Sequence, residues 1–324
     1  MPETPATAPD ELARLAQARL ARTVNVGPDL GAAQERGWTI DIQRSHLEAC
    51  ALAGFTAIRL LIGLAAHRTP PGGLNPAILH RVEAIIDDAT DLGLAVVIAH
   101  NPDPELLAEP QAHLGTTLAT VARLTDALAG RGTELILEPL AEPRQALDNI
   151  WNKTAAELIA AVREHDQQRT ILLGPRTMNN ARFLGELSLP HDEHNLIVGI
   201  HHYWPITFTM QGEMWLGKDH IFGNPHDWLG TTWDQTPAQE AELRTGFAQV
   251  AGWGRATGRL LFLGEFGTTN NADIASRVRW TRFNRRLAEE HGIPWGIWSF
   301  APIFAVYDQQ AGTFHPDLLA ALID

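Results

Sequence analysis

The chain has 324 residues, 45% of them apolar and 19% charged, with a formal net charge of -13 at pH 7. That much apolar side chain is ample for a large core, and the mixture stands well away from a disordered composition. The acidic balance argues against nucleic acid or an anionic membrane as a partner and favours a soluble enzyme handling neutral or cationic small molecules.

Residues 1–10, rich in Pro, Thr and Ala, read as a flexible lead-in, and 11–324 as one domain. The start has no basic n-region or apolar h-region, so a cytoplasmic location is expected. No stretch is long and apolar enough to span a bilayer. Strand-like runs fall at 22–26, 56–62, 94–100, 134–140, 170–174, 196–203, 260–266 and 294–300. Most are continuous apolar runs, as strands buried on both faces should be. Cys50 lies in the amphipathic run "HLEACALAGF" and reads as a buried structural thiol, with no second cysteine to bridge to. Helical patterns end at Gly93, Gly258 and Gly292, and Thr236 followed by a proline reads as an N-cap. Alternating strands and helices predict a (β/α)8 TIM barrel, with a doubly wound open sheet as the alternative. The stretch 204–235 is too long for an ordinary connection and carries Trp204, Trp215, Trp228 and Trp233; such a loop on a barrel belongs to the site.

The fourth run continues as "ELILEPLAEP", with Glu138 and Glu142 each before a proline. Proline disfavours the helical region for the preceding residue, so both glutamates are expected in extended backbone where the strand stops. On a barrel the C-terminal strand ends converge on one face. Arg59, Asn101, Glu138, Glu142, His201, Tyr203, Glu265 and Trp298 stand there. Glu142 and Glu265 form the interesting pair, because two carboxylates across a cleft can cleave a glycosidic bond.

These segments resemble glycoside hydrolase family 5, the cellulase family. "LEPLAEP" is similar to its acid/base motif and "LFLGEFG" to its nucleophile strand. "NLIVGIHHYWPITFTMQGEMW" is similar to its His-x-Tyr strand with the following loop, and "GFTAIRLLI" to its arginine-bearing strand. The resemblance implies Glu142 as general acid/base and Glu265 as nucleophile. It further implies Arg59 and Tyr203 bound to that nucleophile, His201 supporting the acid/base, and Trp298 as a stacking floor. Glu138 and Trp204 join the supporting set.

The sequence departs from the family pattern at sugar-contacting positions. Ala141 replaces the asparagine before the acid/base, and Asn101 and Pro102 replace a His-His pair. Pro28 stands in the first loop, Met210 replaces a histidine, and Ser299 a glutamate. His100 falls one place early and should face away. Three functions are consistent with this pattern. The leading one is a retaining glycosidase acting on a small soluble or modified glycoside. The second is a repurposed enzyme using the glutamates for proton transfer on an apolar biosynthetic intermediate, and the third a non-catalytic carbohydrate binder. No cofactor is implied, and His191, His194, His201 and His202 are not read as a metal site. Oligomeric state is not legible.

Overall fold

The computed structural model describes residues 11–27, 41–69 and 73–324. The lead-in expected at 1–10 and Pro28 therefore lie outside the described residues. Eight strands close into a parallel barrel: β1 (Arg22–Val26), β2 (Ala57–Ile62), β3 (Ala95–His100), β4 (Leu135–Glu138), β5 (Thr170–Leu173), β6 (Leu196–His202), β7 (Leu260–Phe266) and β8 (Trp295–Ile297). Neighbours pair in sequence order, and β8 closes on β1. The strand at 134–140 stops at Glu138, since Pro139 has no N–H to continue the ladder.

Each strand serves two cores by alternation. In β2 and β3, Ile58, Leu60, Ile62, Val96 and Ile98 join the large core under the helices. Ala57, Ala95 and Val97 point inward, where they pack with Ile136, Leu172, Ile197 and Phe262. Helix α1 (Glu11–Arg19) contributes Ala16 to this inner cluster, joined by Leu20 just beyond it, and so plugs the end of the barrel opposite the site. The same period of two carries Arg59 and Leu61 inward above Ala57. It turns His100 outward, where it is fully buried with Nδ1 3.3 Å from the Pro139 carbonyl.

The outer layer comprises α2 (Arg44–Leu52), α3 (Pro76–Asp91), α4 (Pro110–Ala127), α5 (Trp151–His165), α6 (Pro237–Thr257), α7 (Ile274–Glu290) and α8 (Pro316–Ile323). Thr236 caps α6 in a reciprocal box with Gln239, and Gly258 ends it at φ 68°. One connection differs from the regular alternation. Between β5 and β6 there is no long helix, only the turn Arg176–Asn179 and a 3-10 segment, Ala181–Glu186. Two proline-flanked, loop-forming stretches, "GPRTMNN" and "LSLPHDEHN", leave too few residues between them for one. Among the described residues no helix is long and apolar enough to cross a membrane.

Candidate active site

The centre of the barrel mouth is organised around one buried cation. Arg59, with no exposed surface, donates from Nε to Glu138 Oε2 (2.6 Å) and from Nη1 to Glu265 Oε1 (2.7 Å). Nη1 also donates to Asn25 Oδ1 (2.9 Å). Asn25 is held in turn by its own Nδ2, which donates to the carbonyls of Gly264 (2.9 Å) and Ile297 (3.1 Å). Burial opposes the charge on Arg59, but the two carboxylates outweigh it and hold the guanidinium ionised. Glu265 is aimed by three groups, since Tyr203 donates its hydroxyl to Oε2 (2.8 Å) and His201 Nδ1 lies 3.5 Å from the same oxygen.

Glu142 arrives from the other side. Its backbone is not extended as expected from the proline that follows; φ is 45°, in the left-handed region. Pro143 closes the right-handed helical region to it, and the surrounding hydrogen bonds pull the chain into a tight turn. Ala141 N–H donates to the His100 carbonyl (2.8 Å), Arg144 Nη1 to the Glu142 carbonyl (2.9 Å) and Met178 N–H to the Pro143 carbonyl (2.8 Å). This turn swings the carboxylate over the mouth, where its Oε1 lies 2.9 Å from His201 Nδ1. One donor atom each from Glu142, His201 and Glu265 lie within 4.8 Å of one another, the spacing of a group able to hold a cation.

The electrostatics of the three groups are linked. Burial pushes Glu265 above the usual carboxylate range, with His201 and Arg59 only partly offsetting it. Glu142 feels burial too, but its hydrogen bond to His201 and the nearby Arg144 carry it below its ordinary value. Burial would lower His201; the flanking carboxylates prevail and raise it. The three groups are thus coupled: burial disfavours the charge on Glu265, while Glu142 and His201 each favour the other's ionised form.

The remaining sequence-derived residues separate into rim and floor. Asn101 and Trp298 are half-buried, and Trp204 is exposed and packs edge-on against Phe222. Ala141 is buried with Leu61 and Ala99, and Trp298 packs on that cluster. Met210 is buried with Trp228 and Phe304, with Tyr203 and Trp298 packed against them. Trp298 thus joins two apolar groups, and Ser299 beside it is buried. The four loop tryptophans divide. Trp228 and Trp233 are buried structural side chains, whereas Trp204 and Trp215 face solvent. The Trp215 ring is oriented by its Nε1–H, which donates to the buried Glu213 (2.8 Å). Glu138 lies beneath the mouth, 1% exposed, as a partner of Arg59.

Asn25, Asn179 and Arg144 are site residues that sequence reasoning passed over. Asn25 was legible as an asparagine inside an apolar strand; the position of Asn179 depends on a turn with no local signal.

A closed parallel barrel with two carboxylates gathered at the C-terminal ends of its strands belongs to the class of barrel glycosidases. This chain is a member of the cellulase family: a model of Cellulase (glycosyl hydrolase family 5) matches residues 28–302. The structure of Cel5A from Thermotoga maritima in complex with cellobiose superposes with a TM-score of 0.91 at 32% identity, covering 97% of this chain and 100% of that one. The same protein in complex with a mannotriose substrate gives the same TM-score, 0.91, and the same 32% identity. Endoglucanase H of Acetivibrio thermocellus is 23% identical over 315 residues, which is 94% of this chain and 33% of that protein. Cellulase/esterase CelE of the same organism is 22% identical over 330 residues, 92% of this chain and 39% of its own. The chain thus spans between a third and two fifths of the length of these curated relatives.

Proposed function

We propose that this chain is a retaining glycosidase acting on small soluble β-glycosides, with Glu265 as nucleophile and Glu142 as general acid/base. The observation that carries this reading is the convergence of Glu142 and Glu265 on one reacting centre, with donor atoms within 4.8 Å. Retaining enzymes need a carboxyl separation of about 5–5.5 Å, whereas inverting ones leave room for a water at about 6.5–9.5 Å. Glu142 protonates the leaving oxygen while Glu265 attacks the anomeric carbon; Glu142 then takes a proton from the water that releases the sugar. Arg59 and Tyr203 hold Glu265 in line, and Trp298 offers a stacking surface. A similar protein, Cel5A from Thermotoga maritima, solved with cellobiose and with mannotriose, supports a gluco- or manno-configured saccharide as ligand.

Incubation with an activated 2-fluoro-glycoside, followed by intact-mass measurement and peptide mapping, tests the reading. An adduct on Glu265 is expected. An unmodified chain across gluco- and manno-configured reagents counts against it.

A second reading has its own observation. Next to the acids lie two apolar clusters: Leu61–Ala99–Ala141, whose Ala141 precedes Glu142, and Met210–Trp228–Phe304, on which the Glu265 partner Tyr203 packs. An apolar biosynthetic intermediate, protonated by Glu142, suits such walls. Robust hydrolysis of any unmodified glucan disposes of it.

A further inference from the structure

Asn179 is held at the site by a backbone that is costly to form. Thr177, Met178 and Asn179 take φ of 58°, 60° and 53°, three left-handed residues in succession. Left-handed backbone is costly for residues with a side chain, and strain of this kind persists only where the surroundings impose it. Asp148 accepts from the Thr177 N–H (2.7 Å) and hydroxyl (3.0 Å), and Met178 N–H is tied to the Pro143 carbonyl next to Glu142. Gly174 makes the space, since a Cβ there would lie 2.4 Å from both Asn179 Cγ and the Gly199 carbonyl oxygen. The outcome is a fully buried amide whose Nδ2 is 3.3 Å from His201 Nε2 and whose Oδ1 has no hydrogen-bond partner.

His201 Nδ1 faces Glu142 Oε1 at 2.9 Å and Glu265 Oε2 at 3.5 Å. A lone pair there would oppose two carboxylates, so Nδ1 carries a hydrogen and the state of Nε2 decides whether the ring is neutral or cationic. With Nδ2 toward Nε2, the ring is neutral. Turning the amide over brings the unpartnered Oδ1 to Nε2, where it accepts from an Nε2–H; amide oxygen and nitrogen are nearly equal in size.

We propose that Asn179 is a positioning residue whose amide turns over to hold His201 as an imidazolium, from which Glu142 takes the Nδ1 proton. This rests on the reading of Glu142 as general acid. In the step, the Nδ1–H bond breaks, its electron pair stays on Nδ1, and an O–H bond forms at Glu142 Oε1. His201 is left as the neutral Nε2–H tautomer with Asn179 Oδ1 as acceptor. Without that acceptor, Nε2–H would be stranded in a dry site, and His201 would keep its Nδ1 proton. The charged and titratable groups facing His201 are Glu142 and Glu265, with Arg59 behind and Tyr203 sharing Glu265. On the β7 side Gly264 leaves the ring free, a Cβ there lying 3.1 Å from Nε2.

Two readouts on the full chain decide the matter. In 15N-histidine-labelled protein, the His201 ring nitrogens are followed from pH 5 to pH 9 in wild type, Asn179→Ala and Asn179→Asp. The alkaline limb of kcat/KM is measured in parallel. Loss of the acceptor should move the His201 midpoint and the alkaline limb down by about one pH unit, and Asn179→Asp should move both up. If both variants fold and neither shifts the His201 midpoint, the proposal is overturned, even where turnover falls. A shifted midpoint in a protein with no glycosidase activity would sustain the Asn179–His201 coupling and remove the catalytic reading of Glu142 instead.

Discussion

Arg59 and Glu265 meet at 2.7 Å in a place water hardly reaches, their side chains 0% and 6% exposed. Because Glu138 takes the Nε of the same guanidinium, one cation serves two acids. Removing it leaves two carboxylates buried without a counter-charge, and breaking such a pair costs about 3–5 kcal/mol. Arg59→Met is therefore expected to lower the stability measured by urea unfolding by at least that much. Glu138→Gln, which preserves shape and one hydrogen bond, should cost less than half as much.

The two glutamates should fail differently. Glu265→Gln is expected to abolish covalent labelling. Glu142→Ala should still label with a substrate carrying a good leaving group, while losing about 10²–10⁴-fold on poor leaving groups. Added azide should restore turnover in Glu142→Ala, because deglycosylation then needs no general base. Equal loss on both classes of substrate would show that Glu142 is not the acid.

Ala141 is 1% exposed beneath Leu61, Ala99 and Trp298. Installing an amide there, as Ala141→Asn, buries a polar group in an apolar cluster at a cost of about 1–3 kcal/mol. In exchange it offers a sugar hydroxyl a partner. The expected result is a lower melting temperature together with a higher kcat/KM on an unmodified β-glucoside. Lower stability with unchanged kcat/KM would mean the side chain never reaches the ligand.

His100 is fully buried and His202 half-buried, stacked on Trp280, and burial pushes each imidazole down to about 4. Folding then favours the neutral ring, so the unfolded chain binds more protons between about pH 6.5 and 4 and stability falls as pH falls through that window. Each ring contributes at most about 3 kcal/mol to the loss. His201 works in the opposite direction. Its raised value gives stability that is complete below about 6.5 and disappears as pH rises through the folded value. Denaturant unfolding at pH 4.5 and 7.5 should show weaker protein at the lower pH. His202→Phe, which retains the ring stacked on Trp280, should flatten part of the slope.

All eight strands could be read from the sequence because burial on both faces makes most of them continuous apolar runs, and the helices because their caps are local chemistry. The paired glutamates were legible for the same reason: strand ends converge on a barrel. The missing helix after β5 was not, since nothing in "GPRTMNN" announces three left-handed residues. The division among the loop tryptophans was equally hidden, because the same indole serves as core at Trp233 and as exposed surface at Trp215.

By itself, then, the sequence determined the barrel, the outward turn of His100 by alternation, and the acids at its mouth. These follow from periodicity and from proline chemistry within a few residues. Only the tertiary structure decided that Glu142 turns left-handed, that His201 lies between two carboxylates, and that Asn179 closes on it from behind. Each of those depends on contacts between segments 22 to 64 residues apart, roughly the spacing at which successive strands return to the same face.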